Sequence, residues 1–117
     1  MDALPRDAVV VNLPRSVGIY LGRVVEAMAT GRPMAAWAVP GRPRNRALFE
    51  NGAEILLFSG TEGKALAPAL RRLRRDPARA AEIATNGWRK VQRAHTIERR
   101  VRQILAWTDT GDAPVFA

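Results

Sequence analysis

Three short apolar runs constrain this chain more than any other feature: AVVVN (8–12), MAAWAV (34–39) and EILLF (54–58). Each is nearly continuous rather than alternating, the pattern of a strand buried on both faces in a parallel sheet. Parallel neighbours need a crossover between them, and the intervening sequence supplies one. After the loop LPRS, apolar residues Ile19, Val24, Val25, Met28 and Ala29 recur at helical spacing between Val17 and Thr30. Gly31 and Pro33 then close the helix. The second connection reads as a loop over PGRPRNR (40–46), one helical turn over Ala47 to Glu50, and a turn at Asn51-Gly52.

From Thr61 onward the period becomes helical and stays so. Leu66, Leu70 and Leu73 line one face of a helix ending near Asp76, and Asp76-Pro77 is a start signal, an N-cap aspartate before proline at the first helical position. The next helix carries Ile83, Ala84, Trp88 and Val91 on one face. A third begins at Thr96 and is expected to bury Ile97, Val101, Ile104 and Leu105. The expected fold class is α/β: half of a Rossmann-like doubly wound parallel sheet of about three strands, followed by C-terminal helices. Residues 1–108 form the expected partial domain and 109–117 a loose tail. So small a sheet leaves two exposed edges unless a missing N-terminal portion or a second copy covers them.

Composition narrows the chemistry. A length of 117 residues suits one domain. The absence of cysteine excludes disulfides, thiolate metal sites and a cysteine nucleophile, and fits a reducing cytoplasm. With His95 the only histidine, a histidine metal cluster is excluded too, and neither a metal nor a cofactor is expected. No apolar run approaches the roughly 18 residues of a membrane span, and MDALPRDA lacks a basic region followed by a hydrophobic one. A formal charge of +8 favours anionic partners. Because arginine replaces lysine almost throughout and alanine is abundant, part of that charge reflects composition bias rather than a binding role.

Four stretches carry a family likeness: GRVVEAMATGRPM (22–34), LFENGAEILLF (48–58), ALAPALRRLRRDPARAAEIATNGWRKV (65–91) and AHTIERRVRQIL (94–105). In order and spacing over residues 7 to 107 they resemble the C-terminal, nucleotide-binding half of group 1 glycosyltransferases of the GT-B fold, particularly the spore-maturation-like subset. The first looks like the R-x-F-E-A-x-A-x-G block, the second the F-x-x-G-x-E-x-L-x-Y block, and the last the E-H-T-x-x-x-R-V block. The resemblance implies a nucleotide-sugar donor as partner and places Glu26 on its ribose. The chemistry suits that role, because an ionised carboxylate only accepts hydrogen bonds and its two oxygens match a vicinal diol.

The helix beginning near Ser16, Val17 and Gly18 would then offer its unpaired N–H groups to the diphosphate. Gly18 and Gly22 would allow close approach to the backbone, and Arg15 and Arg23 would add charge-assisted contacts. Many members of the superfamily carry a second glutamate eight residues before the ribose-binding one; here that position is Gly18. The earlier half of the nucleotide domain, with its glycine-rich loop, and the acceptor domain have no counterpart in these residues. Catalytic residues are therefore not assigned, and enzymatic activity is expected only with further sequence or a partner chain.

The remaining features read mostly as structure. His95, at a helix junction, is expected to hydrogen-bond across it rather than serve as acid or base. The runs Arg71-Arg72, Arg74-Arg75 and Arg99-Arg100 lack interleaved exposed aromatics, so solvated faces are favoured over a nucleic-acid groove. Peripheral contact with an anionic membrane stays open. The alternative function is a non-catalytic basic α/β module binding a nucleotide, RNA or a protein partner.

Overall fold

The computed structural model describes residues 9–13, 22–60 and 64–114. Its sheet has three parallel strands in the order β1 (Val10–Asn12), β2 (Met34–Trp37), β3 (Leu56–Phe58). Val10 pairs with Met34 and Ala35 with Leu56, and further bonds from Val10 N–H to the Pro33 carbonyl (3.0 Å) and Ala38 N–H to the Phe58 carbonyl (2.7 Å) lengthen the ladders. The central run MAAW is buried at every position, as two-faced burial demands, whereas β1 is half-buried along its length. Alanines at 35 and 36 let layers approach closely on both sides of β2.

Helix α1 (Gly22–Ala29) packs Val24 and Met28 on one face of the sheet with Met34, Ala36, Phe49, Ile55 and Val91. Residues 17–21, the expected first part of that helix, lie outside the described residues. The short helix in the second crossover is α2 (Pro43–Arg46), inside the segment expected to be loop and four residues before the expected turn at Ala47 to Glu50. Proline fixes the reason: Pro43 supplies a helical φ and needs no N–H partner, so the turn nucleates there, with Ala47 N–H closing on the Pro43 carbonyl at 3.0 Å.

The outer edge of β3 is closed by its own chain. Leu57 N–H, which points away from β2, donates to Asn51 Oδ1 at 2.8 Å, and Gly52 N–H donates to the Ile55 carbonyl at 2.7 Å. Gly52 adopts φ +85°, a conformation that a side chain resists.

Helices α3 (Leu66–Arg75), α4 (Pro77–Ala94) and α5 (Ile97–Thr110) follow. Asp76 caps α4 as expected, its carboxylate accepting from Arg79 N–H at 3.0 Å with Pro77 at the first helical position. Ile83 joins the cluster of Trp37, Phe58 and Leu73 on one face of the sheet, while Val91, two turns later, joins Met28 and Phe49 on the other. Between them Gly87 abuts the Glu54 carbonyl in the loop leading into β3. Thus α4 crosses beneath the N-terminal ends of the strands and leaves their C-terminal ends uncovered by it.

Two expectations fail in these helices. Trp88 is 43% exposed, and Gly87 occupies the buried position of that turn, because the close approach to Glu54 leaves no room for a side chain. The apolar face of α5 is also exposed: Ile97, Val101, Ile104 and Leu105 all lie open, with Ile97 at 83%. The periodicity correctly marks an apolar face, but no described element packs along it after the chain leaves the sheet at His95. The helix also runs to Thr110, two residues past the expected end, where Gly111 at φ +77° caps it by donating to the Trp107 carbonyl. No described helix is long and apolar enough to cross a membrane.

Candidate functional site

In an open parallel sheet the connections leaving the C-terminal ends of the strands converge, and ligands bind in the crevice they form. Here that end receives the connection from β1 into α1 and the connection from β2 into α2. Arg23 and Glu26 lie on α1, both exposed, on the side of the helix away from the buried Val24 and Met28. A β-carbon on Gly22 would sit 3.8 Å from Glu26 Oε1, so the carboxylate leans back along the helix toward its N-terminal side, over a residue with no side chain. Among the described residues it has no hydrogen-bond or ion-pair partner. The other expected site residues, Arg15, Ser16, Val17 and Gly18, lie outside the described residues.

Arg42 lies in the connection that leaves the carboxyl end of β2, and Arg46 is the last residue of α2. They border an open concavity of about 590 Å³ with Gly41, Pro43 and Ala47. A larger cleft, about 860 Å³, lies between the α1–β2 turn and the elbow of α3 and α4, with Arg32, Pro33, Leu73, Arg74 and Ala84 among its walls. It is away from the carboxyl ends of the strands, where the connections that carry Glu26 converge.

His95 is the C-cap of α4 and is 6% exposed. Its Nδ1 is hydrogen-bonded to the Arg100 guanidinium, its ring lies 4.8 Å from that of Phe49, and its Nε2 is buried without a hydrogen bond. Burial, then the charges of Arg100 and Lys90, hold its pKa below the usual histidine value, against opposing contributions from the Leu48 backbone and Glu54. The accepting Nδ1 ties the end of α4 to the first turn of α5, the junction role its position suggested. No cluster of three metal-ligating side chains exists among the described residues.

Three parallel strands joined by crossover helices define half of an open, Rossmann-like α/β sheet. The chain belongs to the glycosyl transferase-like family, whose model matches residues 1–106. Among solved structures it is similar in fold to Anabaena HepE, crystallised with UDP and glucose, at TM-score 0.70 and 22% identity, covering 86% of this chain and 27% of that one. It is likewise similar to sucrose-phosphate synthase from Thermosynechococcus elongatus, at TM-score 0.61 and 29% identity, covering 77% of this chain and 23% of the other. The chain therefore spans about a quarter of the length of each. No curated protein matches its sequence.

Proposed function

We propose that residues 1–108 are the donor-nucleotide-binding segment of a GT-B glycosyltransferase of the spore-maturation-like type, acting in the cytoplasm on a nucleotide diphosphate sugar. Glu26 accepts hydrogen bonds from the ribose hydroxyls, Ser16, Val17 and Gly18, which precede α1 in the sequence, face the diphosphate, and Arg15 and Arg23 supplement its neutralisation. The observation that carries this reading is the exposed Glu26 carboxylate, without a partner among the described residues and leaning over Gly22, in a chain of the glycosyl transferase-like family. Transfer itself needs an acceptor held against the anomeric carbon. That requirement is met by the remainder of a longer polypeptide or by a partner chain, in keeping with a chain about one quarter the length of its structural neighbours.

The test is calorimetric titration of wild type and Glu26→Gln with uridine, guanosine and adenosine diphosphates and their sugar conjugates. The reading requires that one base series bind wild type and bind Glu26→Gln about tenfold more weakly, the cost of one charge-assisted hydrogen bond. Equal affinities in the two proteins would remove Glu26 from the ribose.

A further inference from the structure

Pairing with carboxylates accounts for two arginines among the described residues. Arg79 meets Glu82 at 2.5 Å and Arg102 meets Glu98 at 2.5 Å, each within one helical turn. Arg42 and Arg46, like other exposed arginines, have no such partner among the described residues; what sets them apart is that both border one concavity. Arg46 N–H donates to the Arg42 carbonyl at 3.3 Å, so the two residues are four apart on a single turn, a spacing that puts side chains on one side. Both are exposed, and neither guanidinium has a hydrogen bond or ion pair with any described residue. Of the acidic residues that follow, Glu54 is engaged on the Glu50 backbone N–H at 2.9 Å. Two like charges at this spacing repel, and no described residue offsets them.

The backbone holds this pair in a defined place. Pro43 fixes φ between the two arginines, Gly41 turns at φ +68°, and Ala47 N–H bonds to the Pro43 carbonyl. The concavity they border lies along the chain that leaves the carboxyl end of β2. A guanidinium donates in a planar fork that matches phosphate oxygens, and two forks on adjoining positions match two phosphoryl groups or two faces of one.

We propose that Arg42 and Arg46 form a subsite for a phosphoryl anion, in addition to the residues of α1. The anion is the diphosphate of the donor or an anionic group on the acceptor; only the first case rests on the donor-site reading above. The test titrates the full chain with inorganic diphosphate, UDP and uridine, in wild type, Arg42→Ala/Arg46→Ala, and Arg71→Ala/Arg75→Ala, whose exposed α3 arginines make it a control of equal charge change. Inorganic diphosphate should bind the first double variant about tenfold more weakly than wild type and bind the control within about twofold.

If the donor supplies the anion, the preference for UDP over uridine falls by a similar factor. If the acceptor supplies it, that preference survives while affinity for inorganic diphosphate falls. Equal weakening in the control, no weakening in either variant, or no diphosphate binding by wild type overturns the subsite. Failure of the donor reading is recognised separately, as unchanged UDP affinity in Glu26→Gln. Both arginines are exposed, so unchanged melting temperatures verify that the variants are folded.

Discussion

Gly87 of α4 stands against the backbone carbonyl of Glu54: a β-carbon there would lie 2.6 Å from that oxygen and 2.9 Å from the terminal methyl of Met28. Helix propensity favours alanine over glycine by about 1 kcal/mol, whereas overpacking costs about 1–3 kcal/mol. The clash is with backbone, which cannot swing aside, so Gly87→Ala should lower the melting temperature by several degrees. A rise would mean that α4 does not pass this close beneath the sheet.

Acid should loosen the α4–α5 junction. The folded pKa of His95 is depressed, so between that value and the unfolded one, about 6.5, the unfolded chain binds more protons. The contribution from neutral His95 is therefore complete above the unfolded pKa and declines as pH falls through it toward the folded value. Melting temperatures of wild type should drop between about pH 7.5 and 5.5, above the range in which ordinary carboxylates titrate. His95→Asn should be less stable at pH 7.5 and show a flatter profile; an identical slope would assign the pH dependence elsewhere.

Glu26 supports no packing, so Glu26→Gln should change stability by less than about 0.5 kcal/mol. A role on the ribose makes a sharper demand. The 2′-deoxy form of the bound nucleotide should bind wild type more weakly than the ribonucleotide, and Glu26→Gln should discriminate less between the two. Full discrimination retained in the variant would separate Glu26 from the sugar.

Asn51 closes an edge that would otherwise present an unpaired N–H. Asn51→Ala should cost about 1 kcal/mol and, by exposing β3, promote self-association. Urea denaturation and sedimentation measure the two effects independently. A monomer of unchanged stability would show that water satisfies Leu57 equally well.

Apolar residues on α4 and α5 should behave oppositely. Ile83 is 2% exposed and its truncation to alanine should cost about 2–5 kcal/mol. Ile97 and Ile104 are open to solvent, and Gln at either should shift stability by less than about 0.5 kcal/mol. A large loss at Ile104 would mean that α5 packs against something in solution, such as a second copy.

The amino-acid sequence alone determined the elements whose cause is local. Continuous apolar runs specify two-faced strands, Asp76-Pro77 specifies the start of α4, and apolar spacing specifies α1 and α5 as amphipathic. It also marked Glu26 and His95, a lone carboxylate in the first helix and a lone imidazole at a junction. Tertiary structure decided which amphipathic faces are covered. A period reports that a helix has an apolar side, not whether another element lies against it, so α5 reads like α4 although only α4 is enclosed. Gly87 displaced Trp88 from the buried position because a long-range approach to the Glu54 carbonyl outweighs the local preference for burying an indole. The concavity bordered by Arg42 and Arg46 was likewise beyond local reading: Pro43 sets their turn, but the side-by-side placement of the two arginines appears only once that turn has formed.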